Sequence, residues 1–166
     1  MIGVVARQVR TLAAAPRRSE EPVKGAEVAL DEPTKEQGYE SDPEIRKLVE
    51  TYAMSLATTH YERSSRVTVV GKPYDLDCRS ASEHFRVEVK GTRGDGAAVI
   101  VTRNEVRHAR SGGYRVELFL VSRIEVVGAV GERAAKGGAV SILDRWIPED
   151  GDLEPLQYSY RVPRSA

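Results

Sequence analysis

Cysteine is almost absent from this 166-residue sequence, and the single Cys78 excludes an internal disulfide framework and a cysteine-based zinc site. No apolar run approaches the roughly twenty residues that a membrane span needs. Net charge is also lacking, because 25 lysines and arginines balance 25 aspartates and glutamates. Recognition of nucleic acid would therefore have to rest on the distribution of charge rather than on its sum.

The N-terminus lacks the charged-then-apolar order of a signal peptide, which predicts a cytoplasmic protein. The chain length predicts one domain with its own hydrophobic core. Apolar residues at helical spacing predict a short helix within residues 1–15, whereas residues 16–41 have the polar, proline-containing composition of a linker. We expect residues 1–41 to form a mostly flexible extension and residues 42–166 to form the domain.

Signals for a helix start occur together at Asp42 and Pro43, a capping residue followed by a proline in the first turn. Apolar residues then recur at helical spacing and predict one buried stripe. Glu50 lies at the border of this stripe, where it could lean towards a site at the sheet edge. The stripe consists of Ile45, Leu48, Val49, Tyr52, Ala53 and Leu56.

Alternating and continuous apolar runs predict the strands of the domain. A second helix is expected over 103–111, because Glu105 follows Thr102 at capping-box spacing. The glycine-rich residues 128–138 are expected to form a loop. The order of elements predicts an α/β fold with a central mixed β-sheet flanked by helices. The expected strands are 66–71, 74–79, 84–91, 97–102, 114–121, 140–143 and 156–162.

The stretch from Gly71 to Thr92 carries the candidate chemistry. Valines alternate with Glu88 and Lys90, so the carboxylate and the ammonium would lie on one strand face. If the preceding strand pairs with this one, Asp75 reaches the same face. Two carboxylates and an ammonium suit a divalent cation and a phosphodiester. The alternative is an ordinary solvated strand face, since this spacing often occurs by chance.

Several motifs, in the same order, are similar to those of the NO VEIN C-terminal domain family, a branch of the PD-(D/E)xK nuclease-like superfamily. The resemblance extends over residues 42–162 and implies a restriction-endonuclease-like core. The segments that carry it are Arg46–Ala53, Lys72–Leu76, Val87–Thr92, Thr102–Ala109, Tyr114–Ser122 and Trp146–Pro163.

This resemblance implies that Asp75 and Glu88 hold Mg²⁺, or Mn²⁺ in its place, with help from the backbone carbonyl of Val89. Lys90 would orient or deprotonate water, or stabilise charge in the transition state, and Glu50 would be a further acidic member. The implied activity is Mg²⁺-dependent hydrolysis of nucleic acid, with DNA favoured over RNA, in a restriction, defence or DNA-processing context. A separate helicase or methylase chain and a homodimer are the partners expected.

A group of basic residues is expected to contact the phosphates of a nucleic acid. The alternative is that they form only the solvated face of a helix, with His108 and Arg115 nearby. A second interpretation of the whole chain is a catalytically inactive nuclease-fold module that binds nucleic acid or scaffolds a partner protein. The expected nucleic-acid-binding residues are Lys72, Arg93, Arg103, Arg107 and Arg110.

Overall fold

The computed structural model describes residues 9–11 and 40–157 of the chain. Six strands, two α-helices and a short 3₁₀-helix make up this part. Among the described residues, no helix is long and apolar enough to cross a membrane. In chain order the elements are β1 (Val9–Thr11), α1 (Pro43–Glu62), β2 (Arg66–Val69), β3 (Leu76–Arg79), β4 (His84–Gly91), α2 (Arg103–Ala109), β5 (Arg115–Val127), β6 (Ala134–Leu143) and the 3₁₀-helix Asp150–Asp152.

Helix α1 begins where the sequence predicts, because Asp42 caps it. Its Oδ1 accepts hydrogen bonds from the backbone N–H groups of Glu44 at 2.9 Å and Ile45 at 3.4 Å. The buried side chains recur every fourth residue, which places them along one face of the helix. This face packs against the sheet, mainly against β4. The buried residues are Val49, Ala53, Ala57 and Tyr61.

The six strands form one mixed sheet in the order β1-β6-β5-β4-β3-β2. Strands β4 and β5 are parallel, and the other neighbouring pairs are antiparallel. Alternation along β4 sends Val87 and Val89 into the core beneath α1 and directs Glu88 to the opposite face. Helix α2 covers that opposite face through Ala109, which joins a second core cluster with Trp146. The predicted α/β class, a mixed sheet flanked by helices, is confirmed.

The predictions for residues 97–102 and 128–138 differ from the structure. Residues 97–102 form no strand, because side chains take up backbone N–H groups at both ends. Asp95 accepts from the N–H of Ala97 at 2.9 Å, and Glu105 accepts from that of Thr102 at 2.9 Å. Residues 128–138 are not all loop, since β6 begins at Ala134 and pairs with the long β5.

Other predictions agree more closely or fall outside the described residues. Strand β4 has the predicted bounds, and β5 begins as expected but continues to Val127. The short N-terminal helix is wrong for Val9–Thr11, which pair with β6 as a strand, and the other residues of that helix lie outside the described part. The strand expected at 156–162 is absent at 156 and 157, and its remainder lies outside the described residues. The flexible linker predicted over 16–41 also lies outside the described residues, except for residues 40 and 41.

Candidate active site

A cleft of about 1150 Å³ lies between α1, the turn that precedes β3, the end of β4 and the segment that leads into α2. Its floor is the polar face of β4 at the end where the strand leaves the sheet. All four predicted catalytic residues line it. These are Glu50, Asp75, Glu88 and Lys90.

Asp75 is positioned by the pairing of its own backbone with β4. Its N–H donates to the carbonyl of Val87 at 3.0 Å, and its carbonyl accepts from the N–H of Val70 at 2.8 Å. The side chain turns towards β4, where Oδ2 accepts from the N–H of Val89 at 2.8 Å. Burial raises the pKa of the Asp75 carboxyl, although the hydrogen bond from Val89 opposes the shift.

Glu88 is the most buried charged residue of the cleft, with 3% of its surface exposed. The Nζ atom of Lys90, two residues along the same strand face, lies 2.9 Å from Glu88 Oε1. Burial raises the pKa of Glu88 to about 8, against the opposing charge of Lys90, and the nearby Asp75 adds to the rise. The buried Glu88 carboxyl therefore binds a proton more tightly than an exposed glutamate does.

Lys90 contacts a second carboxylate, which belongs to Glu105 in the first turn of α2. The distance from Lys90 Nζ to Glu105 Oε2 is 2.7 Å. Burial alone would lower the pKa of Lys90, but the two carboxylates outweigh it and raise the pKa. The ammonium group is therefore charged and points into the cleft between its two partners.

Glu105 is a site residue that the sequence analysis did not identify. Its capping box is confirmed, because its N–H donates to Thr102 Oγ1 at 3.3 Å while its Oε2 accepts from the N–H of Thr102. Burial would raise the pKa of Glu105, but the hydrogen bonds from Lys90 and Thr102 prevail and the pKa is lowered. The capping box by itself explains why a glutamate occurs at position 105, so the sequence pattern did not mark Glu105 as a site residue.

Glu50 reaches the cleft from α1 and is exposed. Burial is the main cause of the raised pKa of Asp75, and the negative charges of Glu105 and then Glu50 add smaller contributions. The helix thus brings a further carboxylate opposite the sheet, as the position of Glu50 at the border of the apolar stripe predicted. It lies at the solvent-facing wall of the cleft rather than on its floor.

A family model described as Protein NO VEIN, C-terminal matches residues 46–131, just over half of the chain. The chain belongs to this family. The matched region extends from α1 to the turn after β5 and contains every residue of the cleft named above. Comparison with curated protein sequences and with solved structures gave no significant match.

The basic residues expected to bind nucleic acid are divided between several places in this NO VEIN-family domain. Lys72 and Arg93 line the cleft, and Arg93 also pairs with Glu40 at 3.0 Å. Arg103 and Arg107 are exposed on α2 outside the cleft lining. Arg110 is held by the C-terminal segment, since Nε donates to the carbonyl of Pro148 at 2.8 Å and Nη2 pairs with Asp150 at 2.8 Å.

Two basic residues of the cleft were not predicted. Arg46 and Lys47, in the first turns of α1, line it on the side opposite the sheet and are exposed. Arg115, by contrast, packs over the ring of Phe85 on the α1 face and pairs with Glu117 at 3.0 Å. The positive rim of the cleft is therefore formed by α1 and by the turns beside β3 and β4 more than by α2.

The donors in the cleft fit a hard divalent cation. Asp75 and Glu88 supply carboxylate oxygens, and both have raised pKa values because burial disfavours their charge. Mg²⁺ commonly binds through one or two carboxylates and keeps several waters, so a set of two carboxylates is compatible with such a site. The predicted contribution from the Val89 carbonyl stays a prediction. Among the described residues, no group of three or more His, Cys, Asp or Glu side chains is arranged to hold a metal ion by itself.

Proposed function

We propose that this domain hydrolyses phosphodiester bonds of nucleic acid with Mg²⁺, as a PD-(D/E)xK nuclease with a restriction-endonuclease-like core. The observation that carries the proposal is the convergence of Asp75, Glu88 and Lys90 in one cleft, although Asp75 and Glu88 are thirteen residues apart in the chain. DNA is the substrate that the family resemblance favours. A restriction or defence context, with any helicase or methylase on a separate chain, is part of the same proposal.

Each residue has a defined part in this mechanism. Asp75, oriented by the Val89 N–H at 2.8 Å, and Glu88 would hold the cation through their carboxylate oxygens. The bound ion would polarise the phosphodiester and promote ionisation of the attacking water. Glu50, on the opposite wall, is placed to accept a hydrogen bond from water in the cleft.

The charged state of Lys90 favours some of the roles that the sequence left open over others. Burial alone would lower the pKa of Lys90, but Glu88 and Glu105 raise it by a larger amount. The Nζ atom is therefore protonated at neutral pH. A protonated ammonium donates hydrogen bonds and cannot accept a proton from water. Lys90 therefore orients water and stabilises negative charge on the phosphoryl oxygens of the transition state.

A catalytically inactive domain that binds nucleic acid or scaffolds a partner protein is the second candidate. The observation that favours it is the ion pairing of Lys90 with both Glu88 and Glu105, at 2.9 and 2.7 Å. In this arrangement an ammonium already neutralises the carboxylate that would bind the ion. Magnesium must then compete with Lys90 for Glu88, and a purely structural ion pair needs no such exchange.

The experiment that separates the two candidates combines calorimetric Mg²⁺ titration with cleavage of labelled duplex DNA, single-stranded DNA and RNA. We expect saturable Mg²⁺ binding and cleavage by the wild type, and loss of both in Asp75→Asn. Lys90→Met should keep Mg²⁺ binding but slow cleavage by about a hundredfold or more, the usual loss for a transition-state donor.

Glu125→Gln is the matched control, since it removes a carboxylate that is 67% exposed and pairs with Lys136 on β6, outside the cleft. It should bind Mg²⁺ and cleave as the wild type does. Magnesium binding without cleavage of any substrate would favour the inactive module. Equal cleavage by the wild type and Asp75→Asn would show that the site is assigned wrongly.

A further inference from the structure

A second polar cluster lies beside the cleft, on the same face of the sheet. Alternation along β4 places Arg86 on the face that carries Glu88 and Lys90. Arg86 precedes Glu88 by two residues, a separation of about 6.6 Å along the strand. A nucleic-acid strand whose reacting phosphate lies at Glu88 therefore has neighbouring phosphates within reach of Arg86.

Two tyrosines hold the Arg86 guanidinium between their rings. Its Cζ lies 3.4 Å from the ring centroid of Tyr114 and 4.2 Å from that of Tyr74. The Tyr74 ring also stacks on His108 from α2, at 4.9 Å between centroids. Stacking occupies the faces of a guanidinium and leaves its N–H edge for a planar pair of acceptor oxygens.

The charges around Arg86 are not balanced. Among the described residues, the carboxylate that pairs with Arg86 is Asp77, which is already engaged by Arg79 at 2.8 Å and His84 at 2.9 Å, whereas Arg86 Nε is 3.9 Å away. Two guanidinium groups thus share one carboxylate, and the cluster has a net positive charge.

Among the described residues, Arg86 also uses little of its hydrogen-bonding capacity. Its Nη1 lies 3.5 Å from His108 Nε2, and its buried Nε has no hydrogen-bond partner in the part of the chain that the structure describes. A buried donor without an acceptor is costly, and an anion brought against the guanidinium would supply acceptors. The side chain keeps 18% of its surface exposed, so a ligand has access to it.

We propose that Arg86, held between Tyr74 and Tyr114, is a phosphate-binding subsite for the nucleic-acid strand next to the scissile bond. Arg79, 63% exposed at the outer side of the cluster, would add positive charge towards the same strand. This inference rests on the proposed function for its substrate, but it concerns binding and needs no catalytic step. None of the five basic residues expected from the sequence belongs to this cluster.

Fluorescence anisotropy of labelled single-stranded and duplex DNA tests the subsite, measured over a range of salt concentrations with Ca²⁺ in place of Mg²⁺. The salt slope is the steepness with which the logarithm of the binding constant falls with the logarithm of the salt concentration, and removing one phosphate contact should lower it by about one. We expect this change in Arg86→Gln, together with an affinity that is about tenfold weaker. Arg86→Lys should recover part of the affinity, because it keeps the charge but loses the planar fork. Lys136→Gln, which removes a remote cation that is 59% exposed, should resemble the wild type.

The outcomes separate this inference from the proposed function. Wild-type affinity and salt slope in a folded Arg86→Gln would overturn the subsite, while continued cleavage would leave the nuclease proposal intact. Absence of DNA binding by the wild type would overturn the subsite, whereas the cleavage assays with DNA and RNA decide the proposed function separately. If Arg86→Gln fails to fold, the exposed Arg79→Gln decides, and an unchanged affinity and slope in that variant would overturn the subsite.

Discussion

Glu88 and Glu105 share one ammonium group, yet their protonation behaviour diverges. Both contact Lys90 Nζ, but Glu105 also accepts from the N–H of Thr102, and its side chain is 18% exposed against 4% for Glu88. Burial therefore dominates at Glu88 and raises its pKa, whereas hydrogen bonds overcome burial at Glu105 and lower its pKa. Environments that separate the pKa values of neighbouring carboxyls are typical of sites that assign them different tasks. Glu105 thus adds to the negative charge that keeps Lys90 protonated.

A second buried carboxyl, Glu117 on β5, lies under α1 away from the cleft. It is 7% exposed and accepts a hydrogen bond from the Tyr61 hydroxyl at 2.6 Å. Burial raises its pKa above the ordinary 4.5, although Tyr61 and Arg115 oppose the shift. The folded state then binds this proton more tightly than the unfolded state does. Its contribution to stability is therefore present below pH 4.5 and is lost as the pH rises through the folded pKa.

Glu117→Gln should remove this pH dependence, because the amide oxygen can still accept from Tyr61 but has no charge to desolvate. We expect the free energy of unfolding of the variant, relative to that of the wild type, to increase as the pH rises above the ordinary pKa of a glutamate. Urea unfolding at several pH values between about 4 and 7 measures the change. Arg115 keeps Glu83 and Asp144 at 3.2 and 3.4 Å, so the variant leaves it paired. Parallel stability curves for the two proteins would contradict the prediction, and the exposed Glu125→Gln is the control.

At the scale of elements, the close contact between α1 and β4 positions the cleft. Gly91 ends β4 directly beneath the helix, where a Cβ atom would lie 2.8 Å from Ala53 Cβ and 2.9 Å from the Val49 carbonyl oxygen. Neither neighbour is the flexible end of a side chain, so the helix itself would have to move. Glu50 follows Val49, and the wall of the cleft therefore depends on this packing.

Gly91→Ala should destabilise the domain by about 1–3 kcal/mol, the usual cost of overpacking a close contact. It should also weaken Mg²⁺ binding if α1 shifts away from the sheet. Urea unfolding and calorimetry measure the two effects. Gly113→Ala is the matched control in the loop before β5, since a Cβ atom added there meets nothing within 4 Å among the described residues, and its stability should change little. Equal stability of the two variants would show that α1 adapts without cost.

The sequence predicted best the elements whose signals are local. Asp42 marks the start of α1, and the continuous apolar run Leu118–Val121 marks β5. Strand β6 was missed over part of its length because its alanines and glycines show no apolar alternation. It is a strand because β5 extends to Val127 and pairs with it. The places of Glu50, Glu88 and Lys90 in the cleft could be predicted from one strand pattern and one helix border. That of Asp75 needed the pairing of a second strand, and Glu105 joins the cleft only through the tertiary packing of α2 against β4.

At the scale of the whole molecule, balanced totals of 25 acidic and 25 basic residues conceal an uneven distribution. The floor of the cleft is acidic, and its rim includes Lys47 and Lys72. A phosphate backbone would meet the rim first, and the acidic floor would accept it only with a cation bound. The sequence pattern could not separate rim residues from Arg110, because their positions relative to the cleft are set by the tertiary fold.

Lys47→Gln and Arg110→Gln remove equal charge and therefore test this distribution. Lys47 lines the cleft, so its variant should bind DNA more weakly and lose about one unit of salt slope. Arg110 is held by Pro148 and Asp150, so its variant should keep the wild-type slope even if it is less stable. Anisotropy titrations at several salt concentrations measure both. A lower slope in Arg110→Gln with no change in Lys47→Gln would instead place the nucleic acid along α2, the surface that the sequence pattern alone had favoured.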